Sequence, residues 1–214
     1  MLAREAASCP ARNFLQVQNE VDAHARRQVV DMLVQVHFRT GLQTETLFLA
    51  VSTLDRYLSR VQVSQANLHL AGIACLIAAA KFQEAGVPMQ ALSGSEKEVS
   101  CPAARILGLV GTKAARQQLM ETECDVLKVV GFDMAVPTAA TFVAHFGSCS
   151  AFEARQTHLA HYLLELALYD EGIWTVHSPS KLALASLVVA AELTGCRAPW
   201  PSSMDARAGA AEVG

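Results

Sequence analysis

Apolar residues recur along this chain at helical spacing, in stripes separated by short polar or glycine-containing stops. From Arg26 to Thr40 the positions Val29, Val30, Leu33, Val36 and His37 fall on one side of a helix, and the run halts at Gly41. That periodicity predicts an amphipathic helix, and a glycine is its natural terminator. A second helix is predicted to open at Thr44-Glu45-Thr46 and to carry Leu47, Val51, Leu54 and Leu58 as its stripe. A third starts after Ser64, and its middle, Leu70 to Ala80, is apolar on every side. Such a helix must be enclosed by other helices, and its alanines let them come close.

Between Ala85 and Gly111 the pattern loosens. Pro88, Gly94, Pro102, Gly108 and Gly111 interrupt it, and Ser93 to Ser100 is polar and charged. A short helix followed by an irregular insertion is the expectation here. Regular spacing resumes at Lys113, with a helix over Gln118 to Val130 ending at Gly131. Ala135-Val136-Pro137-Thr138 reads as a linker with a helix start inside it, since proline fixes the turn and Thr138 can cap the next helix. Helices are then expected over Ala139–Phe146, Ala151–Tyr169 and Pro179–Thr194, and Pro201 to Gly214 as a frayed tail. No stretch alternates convincingly with a period of two. The chain is predicted to be all-α, in two helical halves: an N-terminal segment 1–24, a first half 25–134 with an insertion near 93–111, a second half 135–200 and a flexible tail 201–214.

Composition narrows the function classes. Hydrophobic residues make up 52% and charged residues only 17%, so the chain orders and has apolar surface to spare for a partner. A net charge of −3 supplies no basic field, which argues against nucleic acid. The residues Met1 to Cys9 hold no apolar run of secretion-signal length, and Leu70–Ala80 is too short for a membrane span. Cys9, Cys75, Cys101, Cys124, Cys149 and Cys196 are scattered without a C-x-x-C, as expected of reduced thiols in the nucleus, the cytoplasm or both. His158 and His161 lie three apart on a helix. They lack a matching carboxylate or cysteine set, so they read as surface or interface histidines rather than metal ligands. No phosphate loop, nucleophile elbow or Ser/His/Asp arrangement is present. The expectation is a protein that is not an enzyme, with no cofactor, metal or small-molecule substrate.

The decisive stretches are Arg26-Arg27-Gln28-Val29-Val30-Asp31-Met32-Leu33, Leu54-Asp55-Arg56-Tyr57-Leu58, Leu68-His69-Leu70-Ala71-Gly72, Ala79-Ala80-Lys81-Phe82-Gln83-Glu84 and Leu127-Lys128-Val129-Val130-Gly131-Phe132-Asp133-Met134. Together they resemble the cyclin box of A- and B-type cyclins, with similarity running from about Phe14 to Trp200. The resemblance implies a five-helix cyclin fold followed by a partial second helical repeat. It also implies the family's signature set, here Arg26, Asp55, Leu70, Lys81 and Glu123. Arg26 and Asp55 are placed to pair across a helix interface and fix its register, and Leu70 to pack in the core. By resemblance, Lys81 and Glu123 bind the backbone of a cyclin-dependent protein kinase, with Phe82, Leu127, Phe132 and Met134 as the apolar bed beside them. Taken singly, Lys81 reads as a side chain snorkelling at a helix end and Glu123 as a solvated one; the ordered set is what points to a kinase.

Two departures from the family shape the expected function. The substrate-docking groove of such cyclins is apolar, whereas the matching positions here are Ala25, Gln28, Val29, Met32, Gln35 and His69, a degraded patch. Lys81 and Glu123 also stand 42 positions apart, longer than the family's usual separation. The implied function is a regulatory subunit that binds and activates a cyclin-dependent kinase in cell-cycle control. The alternative is a cyclin-fold interaction module that binds a partner without activating a kinase.

Overall fold

The apolar stretch Leu70–Ala80 sits inside a longer helix, α4 (Gln65–Gln83), and all of it but Leu70 and Ile73 is buried. The computed structural model describes residues 1–8, 10, 14–84, 102–109, 113–149 and 152–195, and all regular elements among them are helical. Two compact units emerge: Pro10–Val136, and Pro137–Gly214 together with Met1–Cys9.

In the first unit, α2 (Ala23–Thr40), α3 (Thr44–Leu58), α5 (Pro102–Leu109) and α6 (Lys113–Val129) all pack on α4. By length and composition α4 could cross a membrane, yet Ala71, Ala74, Cys75, Leu76, Ile77, Ala79 and Ala80 are buried against these helices. Small residues make the enclosure possible. A Cβ added at Gly72 would lie 2.5 Å from Val29 Cγ1, so the α2–α4 crossing is set by the absence of that one carbon. Cys75 packs as a small hydrophobe, and burial raises its thiol above the ordinary range.

Polar groups fix the ends. Asp22 accepts from the Ala25 amide at 2.7 Å to start α2, and Gly41, in the left-handed region at φ 61°, closes it. The N-terminus of α3 has no cap from its own Gln43 side chain. Instead Glu84, just past the end of α4, accepts from the Gln43 amide and the Thr46 hydroxyl, both at 2.8 Å. Its charge sits at the positive end of the α3 dipole.

One expectation needs correction. Residues 102–109 fall inside the stretch read as irregular, but they form α5, which buries Ile106. Its sequence explains this: Pro102 is tolerated in a first turn, and Ala103-Ala104-Arg105-Ile106-Leu107 is a run of helix-compatible residues ahead of Gly108. The short helix expected at the beginning of that stretch, residues 93–101 and 110–111 of the insertion, and the tail 201–214 lie outside the described residues.

The second unit is built from α7 (Ala139–Cys149), α8 (Ala154–Leu168), a single turn α9 (Glu171–Trp174) and α10 (Pro179–Leu193). Thr138 Oγ1 accepts from the Thr141 amide at 3.3 Å, capping α7 where the linker ends. Glu153 and Gln156 form a capping box at the start of α8. Phe142, Val143, Ala160, Leu164, Leu168, Ala183, Leu187 and Ala190 make its core. The first helix of the chain, α1 (Leu2–Ser8), belongs to this unit: Glu5 accepts from the Ser180 amide at 2.6 Å and the Ser180 hydroxyl at 2.9 Å, in the first turn of α10.

The deepest charge pair is Arg26–Asp55. Two bonds of 2.8 Å join the guanidinium to the carboxylate, with side-chain exposures of 1% and 0%. Asp55→Ala would leave Arg26 buried without its main partner and should cost about 3–5 kcal/mol, visible as a lower midpoint in urea unfolding. Replacing both residues by apolar ones of similar volume should cost less than the single change.

Candidate functional site

The candidate site is carried by the C-terminal end of α4 and one face of α6. Leu119, Glu123, Val126 and Val130 are the buried positions of α6 and its end, spaced as one helical stripe. A carboxylate in such a stripe needs a compensating charge. Lys81, in the last turn of α4, supplies it: Nζ donates to both Glu123 oxygens at 2.7 Å. The pair is lopsided, with the Lys81 side chain 52% exposed and that of Glu123 only 9%. Glu123 is therefore an anchored acceptor, and Lys81 a cation held at the surface. An ammonium has three hydrogens and two point at Glu123, so one remains for an incoming carbonyl.

Around this pair the apolar residues divide. Phe82 is exposed next to Lys81, and Leu127 lies one turn beyond Glu123, half-buried. Phe132 is 67% exposed in the turn after α6. Met134 differs from the expected apolar bed: it is only 5% exposed, with its sulfur 3.9 Å from the Thr53 hydroxyl. The turn alternates outward and inward side chains, which puts Met134 under it. The exposed apolar surface therefore comes from Phe82, Leu127 and Phe132.

The turn has an unusual backbone. Gly131 (φ 70°) and Phe132 (φ 56°) are both left-handed, and Phe132 is the only non-glycine residue with positive φ among the described residues. For a bulky side chain this costs roughly 1 kcal/mol or more. Two arginines, Arg56 of α3 and Arg60 just past its end, hold it there. Arg56 donates to the Asp133 carbonyl at 2.8 Å and to the Val130 carbonyl at 3.3 Å, and Arg60 donates to the Val129 carbonyl at 2.7 Å. They satisfy the open carbonyls at the negative end of α6. Burial, offset in part by Asp133 nearby, lowers the Arg56 pKa; an arginine remains charged after such a shift. Sequence reasoning did not single these residues out. The available signal was two arginines one turn apart at the end of a helix with an apolar stripe.

Leu70 is not in the core. It is half-buried and lines a cleft of ≈ 330 Å³ with Tyr57, Asn67, Gln118 and Asp125. Tyr57 donates to Asp125 at 2.7 Å, and burial together with that bond raises its phenol pKa, so it stays a donor at physiological pH. The degraded docking patch is polar where it is open. Ala25 and Val29 are buried, Met32 is half-buried, and Gln28, Gln35 and His69 are exposed. Gln35 is bonded to Asp31 at 2.7 Å and Gln28 to His24 at 3.1 Å. His158 is exposed, while His161 is half-buried with Nδ1 donating to the Thr157 carbonyl at 2.9 Å. No group of three or more potential metal ligands occurs among the described residues.

Residues 1–135 match the family model of the cyclin N-terminal domain, and residues 137–211 that of the cyclin C-terminal domain. This chain belongs to the cyclin family. Among curated relatives it is 31% identical to the G2/mitotic-specific cyclin-A of Hydra viridissima over 203 residues, covering 94% of this chain and 45% of that cyclin. It is 32% identical to cyclin-A2 of Xenopus laevis, over 85% of this chain and 40% of that one. Cyclin-B2-2 of Oryza sativa subsp. indica is 29% identical, over 87% and 41% respectively. The chain thus spans less than half the length of these relatives. Among solved structures, a viral cyclin from herpesvirus saimiri superposes with a TM-score of 0.76 at 20% identity, covering 93% of this chain and 83% of that one. A chain of the yeast RNA Pol II CTD kinase CTDK-1 complex gives 0.64 at 19% identity, over 95% and 63%. The first gives this chain the fold of a cyclin, and the second shares that fold.

The state of the docking patch has a direct consequence. A Leu-anchored cyclin-docking peptide has no apolar groove to enter, since Val29 is sealed beneath α4 and the open positions are amides and an imidazole. In a fluorescence titration such a peptide should bind more weakly than micromolar.

Proposed function

We propose that this cyclin-family chain is the regulatory subunit of a cyclin-dependent protein kinase in cell-cycle control, and that it activates the kinase it binds. The observation that carries the reading is the Lys81–Glu123 pair, a surface ammonium anchored by a nearly buried carboxylate. Fixed in this way, the pair can bond main-chain groups of an incoming helix, donating through Lys81 and accepting through a Glu123 oxygen. Phe82, Leu127 and Phe132 supply apolar contact around it. Pressure on the kinase's mobile regulatory helix would bring that enzyme's own Lys–Glu ion pair together and set its metal-binding groups. The chain then does no chemistry itself. It shifts the kinase towards its active arrangement by binding that arrangement more tightly. The relatives' names, G2/mitotic-specific cyclins among them, support the cell-cycle setting. The nucleus or cytoplasm is the compartment that setting calls for, and the unpaired thiols of Cys75 and Cys124 agree with it.

A second reading rests on the polar docking patch: a cyclin-fold module that occupies a partner without activating it. One experiment separates the two. The chain is mixed with a panel of purified cyclin-dependent kinases, and both co-purification and histone phosphorylation are measured. Activation is expected with at least one kinase, and Lys81→Ala or Glu123→Gln should weaken binding at least tenfold while leaving the helical content unchanged. Binding without phosphorylation would favour the passive module, and no binding to any of these kinases would count against the regulatory subunit and against a passive module that occupies a kinase.

A further inference from the structure

Arg56 is buried and takes its acceptors from the turn after α6, so the arginine and the turn hold one another in place. Phe132 itself contributes little to the interior, being largely exposed. What the arrangement fixes is the direction of one aromatic side chain. Arg56 reaches across the turn, from the Val130 carbonyl before it to the Asp133 carbonyl after it. Arg60 holds the preceding carbonyl of Val129. Between the two anchor points, the Phe132 amide donates back to the Leu127 carbonyl at 2.8 Å. Met134 is drawn under the turn towards Thr53, and Phe132 is left pointing out.

We infer that Arg56, assisted by Arg60, is a positioning residue for partner docking: it holds the Val130–Asp133 turn in the left-handed form that presents Phe132 to the kinase. The inference rests on the proposed regulatory-subunit function, because it gives Phe132 a partner to meet. Arg56 touches no partner in this account. It acts through the backbone, and the aromatic ring delivers the effect. A preset ring saves the partner the cost of ordering the turn on binding.

The test is a double-mutant cycle on the kinase that the unaltered chain binds, read as dissociation constants, together with hydrogen exchange of the Phe132 amide. Arg56→Met keeps a side chain of similar length but removes the donors. It should weaken binding about tenfold and speed exchange at Phe132 by at least as much, with α4 amides unaffected. Phe132→Ala should weaken binding by a similar factor, and adding Arg56→Met to it should change affinity less than twofold. Arg56→Lys, which can reach one carbonyl but not two, should fall between. If Arg56→Met unfolds the chain, Arg60→Met, at an exposed position, should show the same pattern at smaller size. Full additivity of the two changes, or unaltered exchange at Phe132, overturns the positioning role. If Phe132→Ala binds as well as the unaltered chain, the positioning role alone is lost. If the unaltered chain binds no cyclin-dependent kinase, the regulatory-subunit reading falls and the docking role with it.

Discussion

A helix that is apolar on every face has to be surrounded, and α4 imposes that demand on the whole first unit. Four helices close around it, and the alanines and the glycine of its apolar middle, six of the eleven residues in Leu70–Ala80, let them come near. The small residues give short interhelix distances, so the polar groups at the edges of the bundle meet their partners at well-defined separations. Gly72 lets α2 come close to α4, and Arg26 of the same α2 reaches Asp55 on α3. Lys81 and Glu84 sit at the C-terminal end of α4, where the apolar run finishes, and each is claimed by a different neighbour. Glu84 closes the start of α3, and Lys81 meets α6. The candidate partner face is thus what remains where the central helix emerges from its wrapping.

The charges in this unit divide by how they are held. Arg26–Asp55 is sealed on both sides and specifies register, with little net stabilisation to offer once desolvation is counted. Lys81–Glu123 is sealed on one side only, so it retains bonding capacity toward solvent. Arg56 and Arg60 are spent on backbone carbonyls and set the course of the chain. Three pairings of similar chemistry therefore have three outcomes, decided by which partner is buried.

Much of this was legible in the residues. Helical periodicity located α2, α3, α4, α6, α7, α8 and α10, and the Arg26–Asp55 pairing came with the resemblance to the cyclin box, which the opposite charges on successive helices made physically sensible. What was hidden depended on three-dimensional direction. Leu70 and Met134 are both apolar, and spacing cannot say that one opens onto a cleft while the other turns inward. The helix at 102–109 was masked by the proline and glycines around it, whose breaking effect is strong only in a helix interior. The grip of Arg56 on the carbonyls at the end of α6 has no sequence periodicity at all, because its acceptors are main-chain atoms 74 and 77 positions away. Glu5 is a similar case: its partner, Ser180, lies 175 residues further on.

That last separation bears on how the chain is made. A ribosome adding about 5–20 residues per second delivers α1 roughly 10–35 s before the first turn of α10 exists. Through that interval Glu5 has no Ser180 amide to accept from, and the residues of the Pro10–Val136 unit are synthesised in the meantime. The second unit is therefore discontinuous in time as well as in sequence. Helix α1 is synthesised before the rest of its unit and docks late, so its attachment waits on α10.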